Sequence, residues 1–260
     1  MPLLGFGTYK LAGQVCYDSV LHALEAGYRH LDTADRYNNH EVIAKAIKDS
    51  GVKRDGIFIT SKVYWNNLAR DEVIRVCEQS LKELQTDYID LLLIHWPNRT
   101  VPIAETLGAF DECRKQGKVR AIGVSNFTVH HLQDVAETGI TIQNHQFELR
   151  PLFVQSELIA YCKENNISIT AHTQFGQGAD LVNQEIRRIA DNHARTPAEV
   201  ILSWLRSHGY AALPKAEQIP YIDRNLDSLT LELSAEDISH IDTLPQGKRI
   251  LVRPVSDFEY

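Results

Sequence analysis

The stretch Leu31-Asp32-Thr33-Ala34-Asp35-Arg36-Tyr37 decides how this chain folds. An apolar run of strand character ends there in an aspartate, and a tyrosine follows five residues later, before a helix-like segment. Two later apolar runs have the same design, since Ile57 to Lys62 ends on a lysine and Ile89 to His95 ends on a histidine. Because the carboxyl ends of parallel barrel strands converge on one mouth, these polar side chains are expected to meet. They are Asp32, Tyr37, Lys62 and His95.

Short apolar runs alternate with amphipathic segments along the whole chain, which favours parallel strands joined by helical crossovers. Eight such units predict a closed (β/α)8 TIM barrel of the α/β class. Residues 1–260 contain no linker-like change of composition, so we expect a single domain. An extra helix is predicted before the last strand, because Thr196-Pro197 separates two helical segments. The predicted strands are Leu4–Tyr9, His30–Ala34, Ile57–Lys62, Tyr88–His95, Arg120–Ser125, Ile142–Phe147, Ser168–Thr173 and Tyr210–Pro214.

Composition excludes several classes of partner. The 27 basic and 34 acidic residues give a net charge of −7, which argues against nucleic acid or an anionic membrane. No apolar stretch is long enough to span a bilayer and no signal peptide is evident. Four widely spaced cysteines predict buried or idle thiols in a reduced, cytoplasmic setting. No residue spacing suggests a metal site.

The four clustered groups suit proton donation to a carbonyl oxygen. Tyrosine has a reference pKa of about 10, and an adjacent lysine ammonium is expected to lower the pKa of Tyr37 by favouring the phenolate. Asp32 would keep the ammonium charged, and a histidine can hold the carbonyl by a hydrogen bond. None of the four can supply a hydride, so carbonyl reduction would need a nicotinamide cofactor.

Five ordered motifs resemble the aldo-keto reductase family. Its catalytic tetrad motifs are similar to Asp32-Thr33-Ala34 with Tyr37, to Thr60-Ser61-Lys62 and to Leu93-Ile94-His95-Trp96-Pro97. Two more family segments are similar to Gly123–Phe127 and Asn144–Glu148. The short chain resembles the compact bacterial branch that includes the 2,5-diketo-D-gluconate reductases, without the family's N-terminal hairpin. The resemblance implies NADPH-dependent reduction of aldehydes or ketones, with Tyr37 as general acid and 2,5-diketo-D-gluconate or other small dicarbonyls as candidate substrates. It also implies a monomer.

The resemblance further implies which residues bind the cofactor. Ser125, Asn126 and Gln146 would hold the nicotinamide carboxamide, and Lys215 would meet the phosphate on the adenosine ribose. Three departures surround this site: His172 stands where the family stacks a tyrosine, Ala216 where it has a serine, and Tyr221 where it has an arginine. We expect Tyr221, Arg224 and Asn225 to contact the cofactor, with NADH as the alternative to NADPH.

The sequence predicts the substrate pocket in less detail than the cofactor site. Four aromatic residues near strand ends are expected to form its walls, and the tail from Gly247 to Tyr260 to cover the mouth. These aromatic residues are Tyr9, Tyr64, Trp65 and Trp96.

Two alternatives remain open from the sequence. Lys62 could form a Schiff base in an aldolase-like barrel enzyme. The chain could also be a barrel that binds a nucleotide without catalysis.

Overall fold

Eight parallel strands form one sheet that closes on itself in the computed structural model, which describes residues 1–260. The strand order follows the chain, as successive right-handed crossovers require. This confirms the predicted (β/α)8 barrel and all eight strands. The strands are β1 (Phe6–Gly7), β2 (His30–Asp32), β3 (Phe58–Val63), β4 (Ile89–Ile94), β5 (Val119–Ser125), β6 (Asn144–Glu148), β7 (Ser168–His172) and β8 (Ala211–Ala212).

The seam between β8 and β1 closes the barrel through few residues. The amide of Gly5 donates to the carbonyl of Ala212 over 2.9 Å, and the amide of Ala212 donates to Leu3 over 2.7 Å. The residues before β1 form no hairpin. At Gly7 the two strands run so close that an added Cβ would lie 2.8 Å from the carbonyl oxygen of Leu213.

Ten helices surround the sheet. Their ends follow the sequence signals, because Thr128, Thr196 and Ser234 each form a capping box at a helix start. The extra helix predicted before β8 is present as α7 (Gln184–Asn192), and α8 (Pro197–Ser207) follows it. None of the ten is both long and apolar enough to cross a membrane. The helices are α1 (Gly13–Ala26), α2 (His40–Asp49), α3 (Arg70–Leu84), α4 (Ile103–Lys115), α5 (Val129–Glu137), α6 (Ser156–Glu164), α7 (Gln184–Asn192), α8 (Pro197–Ser207), α9 (Ile219–Asp227) and α10 (Ala235–Asp242).

A continuous apolar core lies between strands and helices. All six residues of β4 are buried, as expected for a strand covered on both faces. The four cysteines are free and buried within the fold, so they behave as small apolar side chains. Packing inside the barrel is close at Gly123, where an added Cβ would collide with the carbonyl oxygen of Asn144 on the neighbouring strand.

Two glycines test how much of the stability depends on this packing. We expect Gly123→Ala to lower the free energy of unfolding by about 2–3 kcal/mol, because backbone must move to admit the methyl group. Gly108→Ala, in α4 with open space around its Cβ, should raise it by about 0.5–1 kcal/mol. Urea denaturation of both variants measures the difference. Equal stability of the two would contradict the packing described at Gly123.

Candidate active site

A buried ion pair joins the ends of β2 and β3. Strand register places Asp32 beside Thr60, two residues before Lys62. The Lys62 Nζ lies 2.5 Å from Asp32 Oδ1 and donates to the Thr33 carbonyl over 2.9 Å. Lys62 is 1 % exposed and Asp32 is 5 % exposed. Burying these charges is tolerable only because each has a partner of opposite charge or a hydrogen bond.

Gln146, at the end of β6, holds the second oxygen of the same carboxylate. Its Nε2 donates to Asp32 Oδ2 over 2.8 Å. The sequence had suggested Gln146 only as a cofactor contact. Its bond to Asp32 links two strand ends that are 114 residues apart in the chain, and no local pattern signals it.

Tyr37 and His95 face each other beside the ion pair. Tyr37 lies in a short 3₁₀ turn, Asp35–Tyr37, and is half-buried. Its ring centroid is 5.8 Å from the ring centroid of His95, and the Lys62 Nζ is 5.2 Å from the Tyr37 ring centroid. The four predicted side chains therefore share one mouth. Tyr37 and Lys62 are neighbours without a direct hydrogen bond between them.

The pKa of Tyr37 corrects one expectation. Burial raises it well above the usual value for tyrosine, and the carboxylates of Asp32 and Asp35 raise it further. The predicted lowering by Lys62 is therefore wrong in direction. The ammonium is bound to Asp32, and the carboxylate of that residue acts on the phenol in the opposite direction. Burial lowers the pKa of Lys62 while Asp32 opposes that shift.

His95 is neutral at physiological pH. Burial lowers its pKa well below the usual range, and the charge of Lys62 lowers it further. Its buried Nδ1 has no hydrogen-bond partner, while its backbone carbonyl accepts from the Asn126 side chain over 3.0 Å. A neutral imidazole can still donate one hydrogen bond to a substrate oxygen.

The predicted nicotinamide contacts form a connected group at the ends of β5 and β7. The Asn126 amide donates to Ser125 Oγ over 3.0 Å, and its Oδ1 lies 2.8 Å from His172 Nε2. Burial lowers the pKa of His172 to about 3, so the ring is neutral and its Nε2 is the donor. Thr173, which follows, has φ of 56°. This left-handed backbone strains a β-branched residue, a feature that concentrates at functional sites.

A cavity of about 730 Å³ lies beside β8 and α9 and contains the other predicted cofactor contacts, namely Lys215, Tyr221, Arg224 and Asn225. Ala216 is also at its wall. Three charged residues that the sequence analysis did not single out, Arg187, Asp191 and Glu217, line it as well. The Lys215 Nζ lies 2.6 Å from Glu217 Oε1. Glu217 could have been noticed from its place two residues after Lys215.

The predicted aromatic residues of the pocket differ in how close they lie to the reacting groups and in how buried they are. The Tyr9 ring centroid is 5.1 Å from that of Tyr37, and the Tyr64 centroid is 5.5 Å from that of His95, so both rings border the reacting groups. Trp65 is half-buried, 6.3 Å from Tyr64 between centroids. Trp96 is only 4 % exposed because it packs on Phe258.

A buried charge network fastens the C-terminal tail to the barrel mouth. Glu148 accepts hydrogen bonds from the backbone amides of Ile250 and Leu251 and pairs with Arg150 over 3.1 Å. Arg150 also pairs with Asp180 over 2.9 Å and donates to the Lys248 carbonyl. The tail then reaches Tyr9 through Arg253 and Trp96 through Phe258. It lies along the mouth, as the sequence predicts.

Fold and site together define a barrel enzyme in which a phenol, a neutral imidazole and a buried lysine–aspartate pair share one mouth. The model of the aldo/keto reductase family matches residues 3–245. Glyoxal reductase of Bacillus subtilis (strain 168) is 40 % identical over 256 residues, covering 98 % of this chain and 92 % of the relative. Methylglyoxal reductase DkgB of Yersinia pestis is 38 % identical over 255 residues, covering 96 % of both.

A solved structure proposed as a 2,5-diketo-D-gluconic acid reductase B superposes with a TM-score of 0.96 at 32 % identity, covering 100 % of this chain and 94 % of the other. This chain therefore belongs to the aldo/keto reductase family. It is an oxidoreductase that acts on carbonyl groups of small molecules.

The two alternatives from the sequence now lose their support. A Schiff base needs an unprotonated amine, yet the Lys62 nitrogen is bound to the Asp32 carboxylate and to a carbonyl. The relatives that match nearly the whole chain are named as reductases, which supports an enzyme over the non-catalytic barrel.

Buried histidines around the site predict how stability depends on pH. The pKa of His145 and that of His172 are each lowered to about 3 by burial. Between pH 6.5 and about 3 the unfolded chain therefore binds more protons, so stability is full above pH 6.5 and falls as pH falls. At pH 5 each histidine should cost about 2 kcal/mol.

Denaturant unfolding at pH 7 and pH 5 measures this loss. His145→Gln should make the loss smaller, because glutamine can still accept from the Phe127 amide that now donates to His145 Nε2. Replacement of the exposed His130 by glutamine is the control and should leave the pH dependence as it is. An unchanged loss in His145→Gln would contradict the prediction.

Proposed function

We propose that the protein reduces aldehydes and ketones to alcohols with NADPH and that Tyr37 is the general acid. The observation that carries the proposal is the common mouth of Tyr37, His95 and the Lys62–Asp32 pair. All four side chains come from one chain, so we propose that it works as a monomer. Relatives named for methylglyoxal and glyoxal make small dicarbonyls the first candidate substrates, and the structural neighbour adds 2,5-diketo-D-gluconate.

Each residue has a task in this reaction. The substrate carbonyl lies between Tyr37 and His95 and accepts a hydrogen bond from the neutral imidazole. Tyr37 gives its proton to the carbonyl oxygen as negative charge develops there. Its raised pKa keeps the phenol protonated before the substrate binds. Because a general acid works best when its pKa is near the working pH, proton donation depends on stabilisation of the phenolate. The nearby Lys62 ammonium stabilises the phenolate that remains, and Asp32 with Gln146 keeps that ammonium in place.

NADPH supplies the hydride when it is bound. Residues present in the structure fit such a dinucleotide. Ser125, Asn126 and Gln146 carry amide and hydroxyl groups suited to the carboxamide, and His172 offers a flat ring of the kind that stacks on nicotinamide. The side-chain Oε1 of Gln174, which follows β7, is buried and has no hydrogen-bond partner. The large cavity with Lys215, Arg187 and Arg224 suits the phosphorylated adenosine.

Removal of one hydroxyl tests the role of Tyr37. Tyr37→Phe should lower kcat for methylglyoxal reduction at least a hundredfold, since general acid catalysis contributes about 10²–10⁴-fold. The Kd for NADPH, measured by quenching of tryptophan fluorescence, should stay the same because the hydroxyl serves the substrate. Tyr17→Phe, which removes a surface hydroxyl bonded to Asp49, is the matched control. Full activity of Tyr37→Phe would refute the assignment.

The charges in the adenosine cavity favour a modest preference for NADPH over NADH. Lys215 and Arg224 attract the 2′-phosphate, and Tyr221 can stack on adenine. Ala216 offers no side-chain donor. The Glu217 carboxylate, paired with Lys215, repels a phosphate and can accept hydrogen bonds from ribose hydroxyls, as acidic residues do in NAD sites.

Glu217→Gln should therefore strengthen the preference for NADPH by about three- to tenfold, since one charge interaction near the surface is removed. The ratio of the Kd values for NADPH and NADH measures this directly, and kcat/KM for each cofactor is the second measure. Glu232→Gln removes an equivalent surface partner of Arg206, outside the cavity, and should change neither. A clear NADH preference of the wild type would contradict the proposal for NADPH.

A further inference from the structure

Three cationic side chains lie beside the two tyrosines that border the reacting groups. The guanidinium carbon of Arg36 lies 4.5 Å from the Tyr64 ring centroid, and the Lys10 Nζ lies 5.6 Å from that of Tyr9. From the C-terminal tail, Arg253 Nη2 reaches within 3.5 Å of the Tyr9 hydroxyl. All three cations are exposed to solvent at the mouth.

None of these cations has a carboxylate within ion-pair distance. The two carboxylates nearest the reacting groups are already engaged: Asp32 with Lys62 and Gln146, and Asp35 with the backbone amides of Arg36 and Tyr64 and with the side chain of Asn67. The mouth therefore carries free positive charge on a chain whose net charge is −7. A cleft of one sign attracts ligands of the opposite sign.

The cations stand one aromatic ring away from the reacting groups. Tyr64 neighbours both Arg36 and His95, with a centroid distance of 5.5 Å between Tyr64 and His95. Tyr9 neighbours Lys10, Arg253 and Tyr37, with a centroid distance of 5.1 Å between the two tyrosines. The positive charge of Arg36 also contributes to the lowered pKa of His95, so its field reaches the place where the carbonyl binds.

We infer that the site prefers carbonyl substrates that carry a carboxylate several bonds from the reacting carbonyl, and that Arg36 and Arg253 recognise that carboxylate. The inference rests on the proposed reduction at Tyr37 and His95 and names its substrate class. A carboxylate attached directly to the carbonyl would lie against Tyr37 and His95, too far from the cations to contact them. A neutral dicarbonyl has no charge that these cations could attract.

Two aldehydes of matched length test the preference. Succinic semialdehyde carries a carboxylate that butanal lacks. With wild-type enzyme and saturating NADPH, kcat/KM should be about tenfold higher for succinic semialdehyde, because each exposed cation contributes about two- to fivefold. Raising NaCl to 0.5 M should shrink this advantage, since salt screens exposed charges, and butanal turnover should respond little.

Variants test whether Arg36 and Arg253 cause the higher kcat/KM for the aldehyde that carries a carboxylate. Arg36→Gln with Arg253→Gln should bring the acid-to-neutral ratio of kcat/KM down about tenfold. Lys163→Gln is the matched control: it removes a cation 5.4 Å from the Tyr210 ring centroid, at the opposite end of the barrel, and should leave the ratio unchanged. Glutarate, which carries no carbonyl to reduce, should protect the wild-type protein against heat unfolding more than it protects the double variant.

The outcomes separate this inference from the proposed reaction. Equal kcat/KM for the two aldehydes, or a ratio unmoved in the double variant, would overturn the inference while leaving carbonyl reduction intact. Reduction of neither aldehyde nor methylglyoxal would contradict the proposed function. The difference in glutarate binding between wild type and double variant would then decide whether an anion site exists at the mouth.

Discussion

The buried pair of Lys62 and Asp32 is the constraint to which the rest of the site conforms. Two charges that are nearly inaccessible to solvent must satisfy each other, because removing either partner would leave an uncompensated charge inside the protein. The Thr33 carbonyl and the Gln146 amide complete the set of hydrogen bonds. The ends of β2, β3 and β6 are thereby held in one arrangement, and the surfaces that carry Tyr37 and the cofactor contacts are built on it.

Electrostatics divide the mouth into two zones. Inside, burial raises the pKa of Tyr37 and lowers that of His95, so Tyr37 keeps its proton and His95 is neutral. Outside, Lys10, Arg36 and Arg253 leave a rim of unpaired positive charge. The inner zone responds only when negative charge develops on a carbonyl oxygen, whereas the rim acts on a substrate before it reacts. The proposed chemistry and the proposed selection among substrates thus belong to different residues, which share the rings of Tyr9 and Tyr64 as neighbours.

The C-terminal tail is bound to the barrel by a buried network and continues from there along the mouth. Glu148, Arg150 and Asp180 form a network without access to water that binds the backbone of the tail at Lys248, Ile250 and Leu251. Beyond this anchor the tail delivers Arg253 and Phe258 to the mouth. Asp180 also accepts a hydrogen bond from the Leu152 amide and belongs to the segment after β7 that borders the cavity beside α9. One buried network therefore connects the tail to both the mouth and the edge of this cavity.

Sequence reasoning alone predicts the eight strands, the capped helix starts at Thr128, Thr196 and Ser234, and the meeting of Asp32, Tyr37, Lys62 and His95. These features depend on local periodicity and on the rule that parallel strand ends converge, so short motifs suffice to predict them. Three-dimensional packing is needed to find the direction of the Tyr37 pKa, the bond from Gln146 to Asp32, the approach of Glu217 to Lys215 within a cavity, and the covering of Trp96 by Phe258. Each of these depends on burial or on contacts through space, and the sequence order of the residues carries neither.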